Sequence, residues 1–302
     1  MAQIYNEILV LFLMIGIGYL ISKLNIIDGR MNKGISKLLV NVTLPLLIFS
    51  SFTTQYKGNV FVNMFQLFIY SNIIFLMCTI GGKFLSNRMN VSKKDVFHFI
   101  LIFSNCGFVG FPVVKSIYGD LGVLYTSVFN VTYNIFIWTV GVMIYTKGKE
   151  STDIKKIAKN PNIIAVFLGV SMMALSVELP VYISKTASMV GSVTTPLSMI
   201  SIGAMLSEIS LGKILKDWTI YYLSFLRLLV IPLIGYAGLR LFHIDMVIVN
   251  VITICLAMPA ASLGAILAES YNNNARYASV CVLVSTLFSI ITIPFVTSLI
   301  MY

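Results

Sequence analysis

The sequence predicts an all-α integral membrane protein of ten transmembrane helices in two inverted five-helix repeats, with broken helices 4 and 9. Three observations predict it. First, 58% of the 302 residues are hydrophobic, 11% are charged, and the mean hydropathy is +0.93. A soluble domain carries about 25% charged residues, so this chain could not coat a surface facing water. Second, long apolar runs recur along the whole length, each able to cross ~30 Å of hydrocarbon as a helix. Third, short sequence echoes link the two halves.

The first run, about 4–22, has Glu7 where a signal peptide would be basic and lacks a small-residue cleavage site, so it reads as a retained helix. Spans at about 35–52 and 60–82 follow the turn signals Asp28-Gly29 and Lys57-Gly58-Asn59. Spans at about 97–118 and 121–145 are parted by Gly119-Asp120. The longest polar connection, KGKESTDIKKIAKNP, then divides the chain. Five more spans follow at about 161–179, 186–207, 218–241, 246–270 and 277–300, the last after Asn272-Asn273-Asn274. The predicted organisation is therefore a first repeat over 1–146, a cytoplasmic linker over 147–160 and a second repeat over 161–302.

A net charge of +10 in a soluble protein would suggest nucleic acid. Here Lys and Arg lie between apolar runs, so no nucleic-acid partner is expected and the bilayer is the partner. The loops after helices 1, 3 and 5 hold four, four and five Lys or Arg (Lys23, Arg30, Lys33, Lys37; Lys83, Arg88, Lys93, Lys94; Lys147, Lys149, Lys155, Lys156, Lys159). Those after 7 and 9 add Lys213, Lys216 and Arg276, whereas the even loops hold Lys57, Lys185, Arg240 and, at the border, Lys115. The positive-inside rule places the odd loops in the cytoplasm of a multi-pass cell-membrane protein and both termini outside.

Five helices per half invert the second half relative to the first, as in many secondary transporters. NVTLPL (41–46) echoes SVTTPL (192–197), YGDLGVLYTSV (118–128) echoes YNNNARYASV (271–280), and SNCGFVG (104–110) falls on AMPAASL (257–263). The last pair carries the chemistry. Pro112 removes a backbone donor and clashes with the preceding turn; Gly107 and Gly110 lower the cost of leaving helical dihedrals. Met258, Pro259 and Ala260 repeat that character in helix 9. In hydrocarbon, freed backbone groups need protein or a wet cavity to satisfy them. Two such breaks near the midplane would offer positive N-terminal dipoles to an anion and free carbonyls to a cation. Asn105, with Ser104 and Cys106, supplies polar groups there. The alternative for each break is an ordinary kink.

Few ionisable residues lie inside the spans, and these default to function. Glu269 is a candidate for coupling to protons or sodium, or a solvated residue at a helix end. Arg227 either partners a substrate or a carboxylate or snorkels to the interface, and it stands with Ser104 among the coupling candidates. Lys115 adds to an anion path or reaches the surface, and His98 is expected at the interface. Asn130 and Asn134 read as intramembrane amides bonding across helices, Asn130 also as a coupling candidate. Cys78, Cys106, Cys255 and Cys281 form no CxxC or metal pattern, so no metal, disulfide or other cofactor is expected.

The segments NVTLPLLIF (41–49), SNCGFVGFPVVKSIYG (104–119), KNPNIIAVFLG (159–169), TTPLSMISIGAML (194–206) and MPAASLGAILAESYNNNARYASVCVLVST (258–286) resemble the auxin efflux carrier family of transporters, over essentially the whole chain. The resemblance implies crossing helices 4 and 9, a scaffold of helices 1, 2, 6 and 7 through which a homodimer could form, and a transport bundle of helices 3–5 and 8–10. It also implies a substrate carboxylate held beside Asn105, Pro112 and Pro259. Tyr271-Asn272-Asn273 departs from the family's Tyr-Gly-Asp, and the 147–161 loop lacks the long insertion of plant members.

The predicted function is secondary transport of a small organic anion by alternating access. The alternative is a sodium-coupled carrier of the bile-acid type or a cation/proton exchanger of the same architecture, which usually carries an Asp pair at the crossover; none lies in helices 4 or 9 here. An intramembrane enzyme would need a nucleophile with a base or an acidic metal motif. The sequence has no HExxH and no Asp-rich motif, so it is not expected to be an enzyme, and no soluble signalling domain favours a receptor.

Overall fold

The computed structural model describes residues 2–53, 59–148, 158–177, 179–207, 217–242 and 244–301. Most of the predicted linker, and with it Lys149, Lys155 and Lys156, lies outside them, as do Lys57, Lys213, Lys216 and the side chain of Glu7. The described residues are helical, with no strand beyond one isolated bridge. In order they form α1 (Ala2–Lys23), α2 (Gly29–Phe52), α3 (Val60–Ser86), α4 (Val91–Ile102), α5 (Cys106–Thr146), α6 (Pro161–Ala174), α7 (Val181–Ser207), α8 (Trp218–Arg240), α9 (Met246–Ala257), α10 (Leu263–Ser270) and α11 (Ala275–Ile300).

Among these, α2, α3, α5, α7, α8 and α11 are long and apolar enough to cross a membrane, and α6, α9 and most of α1 are shorter apolar helices. The outward faces agree. Along α3, Phe61, Phe65, Ile69, Ile73, Ile80 and Phe84 form one exposed apolar stripe. At 1.5 Å per residue it runs about 35 Å, close to the thickness of a hydrocarbon core. Such a stripe is untenable in water. The protein is a multi-pass membrane protein.

Side-chain caps start several helices. The carboxylates of Asp28, Asp217 and Asp245 accept from the backbone N–H groups of Met31, Thr219 and Val247, and the Asn160 and Asn274 amides accept from Asn162 and Tyr277. Proline shapes the interiors. Pro45, Pro112 and Pro232 each lie two residues after a π turn, at Leu39–Thr43, Cys106–Gly110 and Leu226–Val230. A proline cannot bond the carbonyl four residues back and clashes with it. The chain relaxes by widening, and the Leu44 and Ile231 N–H groups reach the carbonyls five residues back, at Leu39 and Leu226.

α5 is not one straight rod. Gly119 has φ 59° and ψ −143°. A Cβ placed on Gly122 would lie 2.8 Å from the Val114 carbonyl oxygen. Residues eight apart in a straight helix are about 12 Å apart, so the chain doubles back at Gly119, where the Gly119-Asp120 turn was expected.

Some boundaries differ from expectation. Helix 4 starts at Val91, because its first turn, Ser92-Lys93-Lys94-Asp95, is polar and invisible to a count of apolar residues. Helix 6 stops at Ala174, where Ser176 turns left-handed, and helix 7 starts at Val181 because Pro180 cannot continue a helix. His98 is buried rather than interfacial: its Nε2–H donates to the Thr79 carbonyl at 2.9 Å.

The chain falls into two compact units, Met1–Val60 with Phe111–Val131 and Ala158–Ser210, and Phe61–Gly110 with Thr132–Ile157 and Leu211–Tyr302. In the first, α1 lies against the second half of α7 with backbones almost touching. A Cβ on Gly203 would sit 2.0 Å from the Ile15 carbonyl oxygen, and one on Gly18 would sit 2.2 Å from that of Ile200. Small residues permit such packing in lipid. Asn32 closes it by accepting from the Ser201 hydroxyl at 2.7 Å and donating to its carbonyl at 3.2 Å. Gly203→Ala forces the two backbones apart and is expected to cost about 1–3 kcal/mol, seen as a lower Tm in detergent.

In the second unit, the starts of α4, α8 and α11 share a polar cluster. Lys93 pairs with Asp217 and lies 5.5 Å over the Tyr277 ring. The Tyr277 and Thr219 hydroxyls are 3.0 Å apart, and the Asn274 amide donates to the Ser92 carbonyl at 3.2 Å. Partial burial pushes the Asp217 carboxyl up, but hydrogen bonds from Lys93 and Thr219 outweigh it and hold the group below its ordinary value. A depressed folded-state pKa stabilises the fold above the unfolded value of about 3.9, and that contribution is lost as pH falls through the folded value. The Tm gap between wild type and Asp217→Asn should therefore be present at pH 7 and close as pH drops below 4.

Candidate functional site

The two breaks meet. α4 ends at Ile102, Phe103 is extended (φ −104°, ψ 116°), and Ser104 forms an antiparallel bridge with Ala260. The Asn105 N–H donates to the Pro259 carbonyl at 2.7 Å, and the Ala261 N–H donates to the Phe103 carbonyl at 3.1 Å. The Ala260 N–H takes the Ser285 hydroxyl of α11 as acceptor at 3.0 Å. Backbone groups freed by Pro259 and by the end of α4 are thus returned to each other, as hydrocarbon requires. The bridge gathers four helix ends: the C-termini of α4 and α9 and the N-termini of α5 and α10.

Each residue plays a distinct part. Asn105 is half-buried; its Oδ1 accepts from the Phe108 N–H at 3.2 Å, and its carbonyl accepts from Val109 and Gly110 at 3.2 and 3.3 Å. Acceptance from an N–H fixes which amide atom is oxygen. The Nδ2 group has no hydrogen-bond partner among the described residues. Gly107 faces open space: a Cβ there meets nothing within 4 Å. Gly110 is the reverse, since its Cβ would lie 3.2 Å from Cys106 Cβ and 3.5 Å from Met258 Cγ. Met258, Pro259 and Ala260 are buried. Ser104 is 1% exposed and its hydroxyl has no partner among the described residues. Pro112 follows in the same helix as Gly110, buried in the next turn.

The other candidates lie elsewhere. Glu269 is exposed in the last turn of α10, about 10 Å along that helix from its start. Asn130 is buried in α5 and Lys115 half-buried there, both in the first unit. Arg227 is wholly buried in the π turn of α8, so it does not snorkel.

Sequence reasoning missed three contributors. Phe103 supplies a carbonyl to the bridge and stacks in a group with Phe99, Phe75 and Tyr133 at centroid distances of 4.6, 6.1 and 5.7 Å. Tyr145 donates to the Gly264 carbonyl at 3.0 Å, bracing the first turn of α10. Ser285 holds Ala260. A hydroxyl within an apolar helix is the only signal Tyr145 and Ser285 leave, and Phe103 leaves none.

Residues 3–297 match the model of the membrane transport protein family. The chain belongs to that family, the auxin efflux carriers its motifs resemble. It is similar to the uncharacterized transporter MJ1031 of Methanocaldococcus jannaschii, 23% identical over 95% of this chain and 96% of the relative. It is similar to the uncharacterized transporter YfdV of Escherichia coli K12, 21% identical over 96% and 95%. A further relative, from Rhizobium meliloti and provisionally named for malonate transport, is 23% identical over 97% and 94%. The transporter carries no group of three or more His, Cys, Asp or Glu able to hold a metal ion among its described residues.

Proposed function

We propose that the transporter is a secondary carrier of a small organic anion, a carboxylate, and that it works by alternating access around the crossing of broken helices 4 and 9. One observation carries the reading: the two breaks hydrogen-bond to each other, which gathers the N-termini of α5 and α10, and Gly107 in the first turn of α5 faces open space. Each helix N-terminus carries roughly half a positive charge. Two such termini and the Asn105 Nδ2 group can replace the water a carboxylate sheds on leaving solution. Pro259 and Pro112 keep the backbone open, and Cys106, Gly107, Gly110, Met258 and Ala260 form the wall. The R. meliloti relative's name adds a short dicarboxylate to the chemistry to be tried.

The carrier has ten spans in this proposal. Two are assembled from broken helices, α4 with the first arm of α5 and α9 with α10, and the second arm of α5 is the fifth span. Helices 1, 2, 6 and 7 form the scaffold, through which two copies pair, and helices 3–5 and 8–10 carry the substrate across. The clustering of the starts of α4, α8 and α11 supports a common side for the loops before them, and the positive-inside rule makes that side cytoplasmic and the termini extracytoplasmic. The unpartnered Ser104 hydroxyl and the Asn130 amide oxygen are the first places to look for sodium, and the Glu269 carboxylate for protons.

The test is uptake into proteoliposomes of acetate, succinate, malonate and indole-3-acetate, with and without sodium and a pH gradient. Saturable uptake of at least one carboxylate is expected. Folded, reconstituted protein that moves none of them overturns the reading.

A further inference from the structure

The largest wholly buried side chain among the described residues is that of Arg227. Among the described residues its guanidinium has one hydrogen bond, a long one from Nη1 to the Leu101 carbonyl at 3.4 Å, while Nε and Nη2 have no partner there. The ion pair Lys93–Asp217 is the only one among the described residues. The titratable side chains within electrostatic reach of Arg227 are Cys78, Cys106 and Tyr133, types ordinarily neutral at pH 7. Arginine keeps its proton in any protein environment, so α8 holds a buried, unpaired cation.

A buried charge persists only when something compensates it, and an intramembrane ionisable group is retained for function. The π turn at Leu226–Val230 swings Arg227 inward. Leu101, which it touches, is two residues before the extended Phe103, and Cys106 is the residue after Asn105. The guanidinium therefore approaches the break from the side of α4 and α8, and its free donors form a planar fork suited to a carboxylate.

We propose that Arg227 is the cationic half of a buried anion site, and that it makes negative charge a requirement for the ligand. The N-terminal dipoles and Asn105 recognise shape and lone pairs; Arg227 reads charge. In its carboxylate form this rests on the function proposed above. A monoanionic group is the shared chemistry, and either the transported carboxylate or a small inorganic anion such as chloride supplies it.

The experiment compares purified full-length wild type, Arg227→Gln and Arg227→Lys in detergent, with the bulky sulfonate of HEPES as the background anion. Tm is followed against succinate, acetate, chloride and the neutral diamide succinamide. Gln keeps a donor for the Leu101 carbonyl but not the charge. Succinate or acetate should raise the wild-type Tm and succinamide should not. Arg227→Gln should lose that response, with apparent affinity at least tenfold weaker, and Arg227→Lys should keep part of it. Ligand-free Arg227→Gln should melt no lower than wild type, since an uncompensated charge has been removed. Arg227-dependent stabilisation by chloride alone supports the anion site and overturns the carboxylate reading. Equal responses of wild type and Arg227→Gln, or no response of wild type to any anion, overturn the site. A lower Tm with an unchanged anion response marks a structural arginine and does the same. If Arg227→Gln does not fold, the same comparison is read from Arg227→Lys, where undiminished affinity overturns the fork.

Discussion

Asn105→Asp is expected to abolish carboxylate uptake while leaving the fold in place. The side-chain oxygen of Asn105 caps the start of α5 through the Phe108 N–H. Asp serves that purpose as well as Asn, whereas Ala loses the cap at a cost of about 1 kcal/mol. The Nδ2 side is where the two variants part company from wild type. Asp replaces a donor with a second acceptor and sets a negative charge against the incoming carboxylate. Like charges a few ångströms apart in a low-dielectric site repel by several kcal/mol, taking an effective dielectric of about 20, which is a loss of a hundredfold or more in affinity. Asn105→Ala removes the donor without adding repulsion, so it should also lose saturable uptake, with a slightly lower Tm. Asn105→Asp with normal Tm and normal uptake would sink the placement of the carboxylate at this break.

Much of this arrangement was legible in the letters. Pro112, Gly107 and Gly110 in one apolar run, and Pro259 with small residues in another, announce two interrupted helices because proline and glycine act on the backbone of their own residue. The near-constant shift between the two halves paired them. What no letter reports is the partner of a backbone group. The Asn105 to Pro259 and Ala261 to Phe103 hydrogen bonds join main-chain atoms that every residue possesses. Ser285 and Tyr145 act at a distance in sequence through a single hydroxyl each, and many other hydroxyls in these helices bond only their own preceding turn. Arg227 showed the opposite problem. Its presence in a span was plain, but burial depends on a π turn that re-aims it, and the sequence left snorkelling open. Glu269 leaves two readings open in the letters, a coupling group or a solvated helix end, because neither its exposure nor the end of α10 one residue later is written in its apolar neighbours.

The sharpest separation of binding from folding lies in two glycines one turn apart. Gly107→Leu should leave Tm nearly unchanged and eliminate uptake; Gly110→Leu should lower Tm whatever it does to uptake. Both positions are in the π turn that opens α5, so local backbone propensity changes by a similar small amount in each. Their surroundings differ. At Gly107 a new side chain enters open space and touches no protein atom at its root. It displaces water or ligand, not neighbours. If a carboxylate sits against the N-termini of α5 and α10, the isobutyl group occupies its place and buries the donors the ligand would use. At Gly110 a single Cβ would already be tight against Cys106 and in contact with Met258, and the further atoms of Leu have no room beyond it. They drive the two breaks apart and stretch the bridge between Ser104 and Ala260. Overpacking of this kind costs about 1–3 kcal/mol, and each bridge hydrogen bond left open in a buried site adds about 1–3 kcal/mol more. Uptake and Tm measured side by side decide the matter. If Gly107→Leu transports normally, the space beside it is not the ligand's, and the anion must be held from the Arg227 side alone.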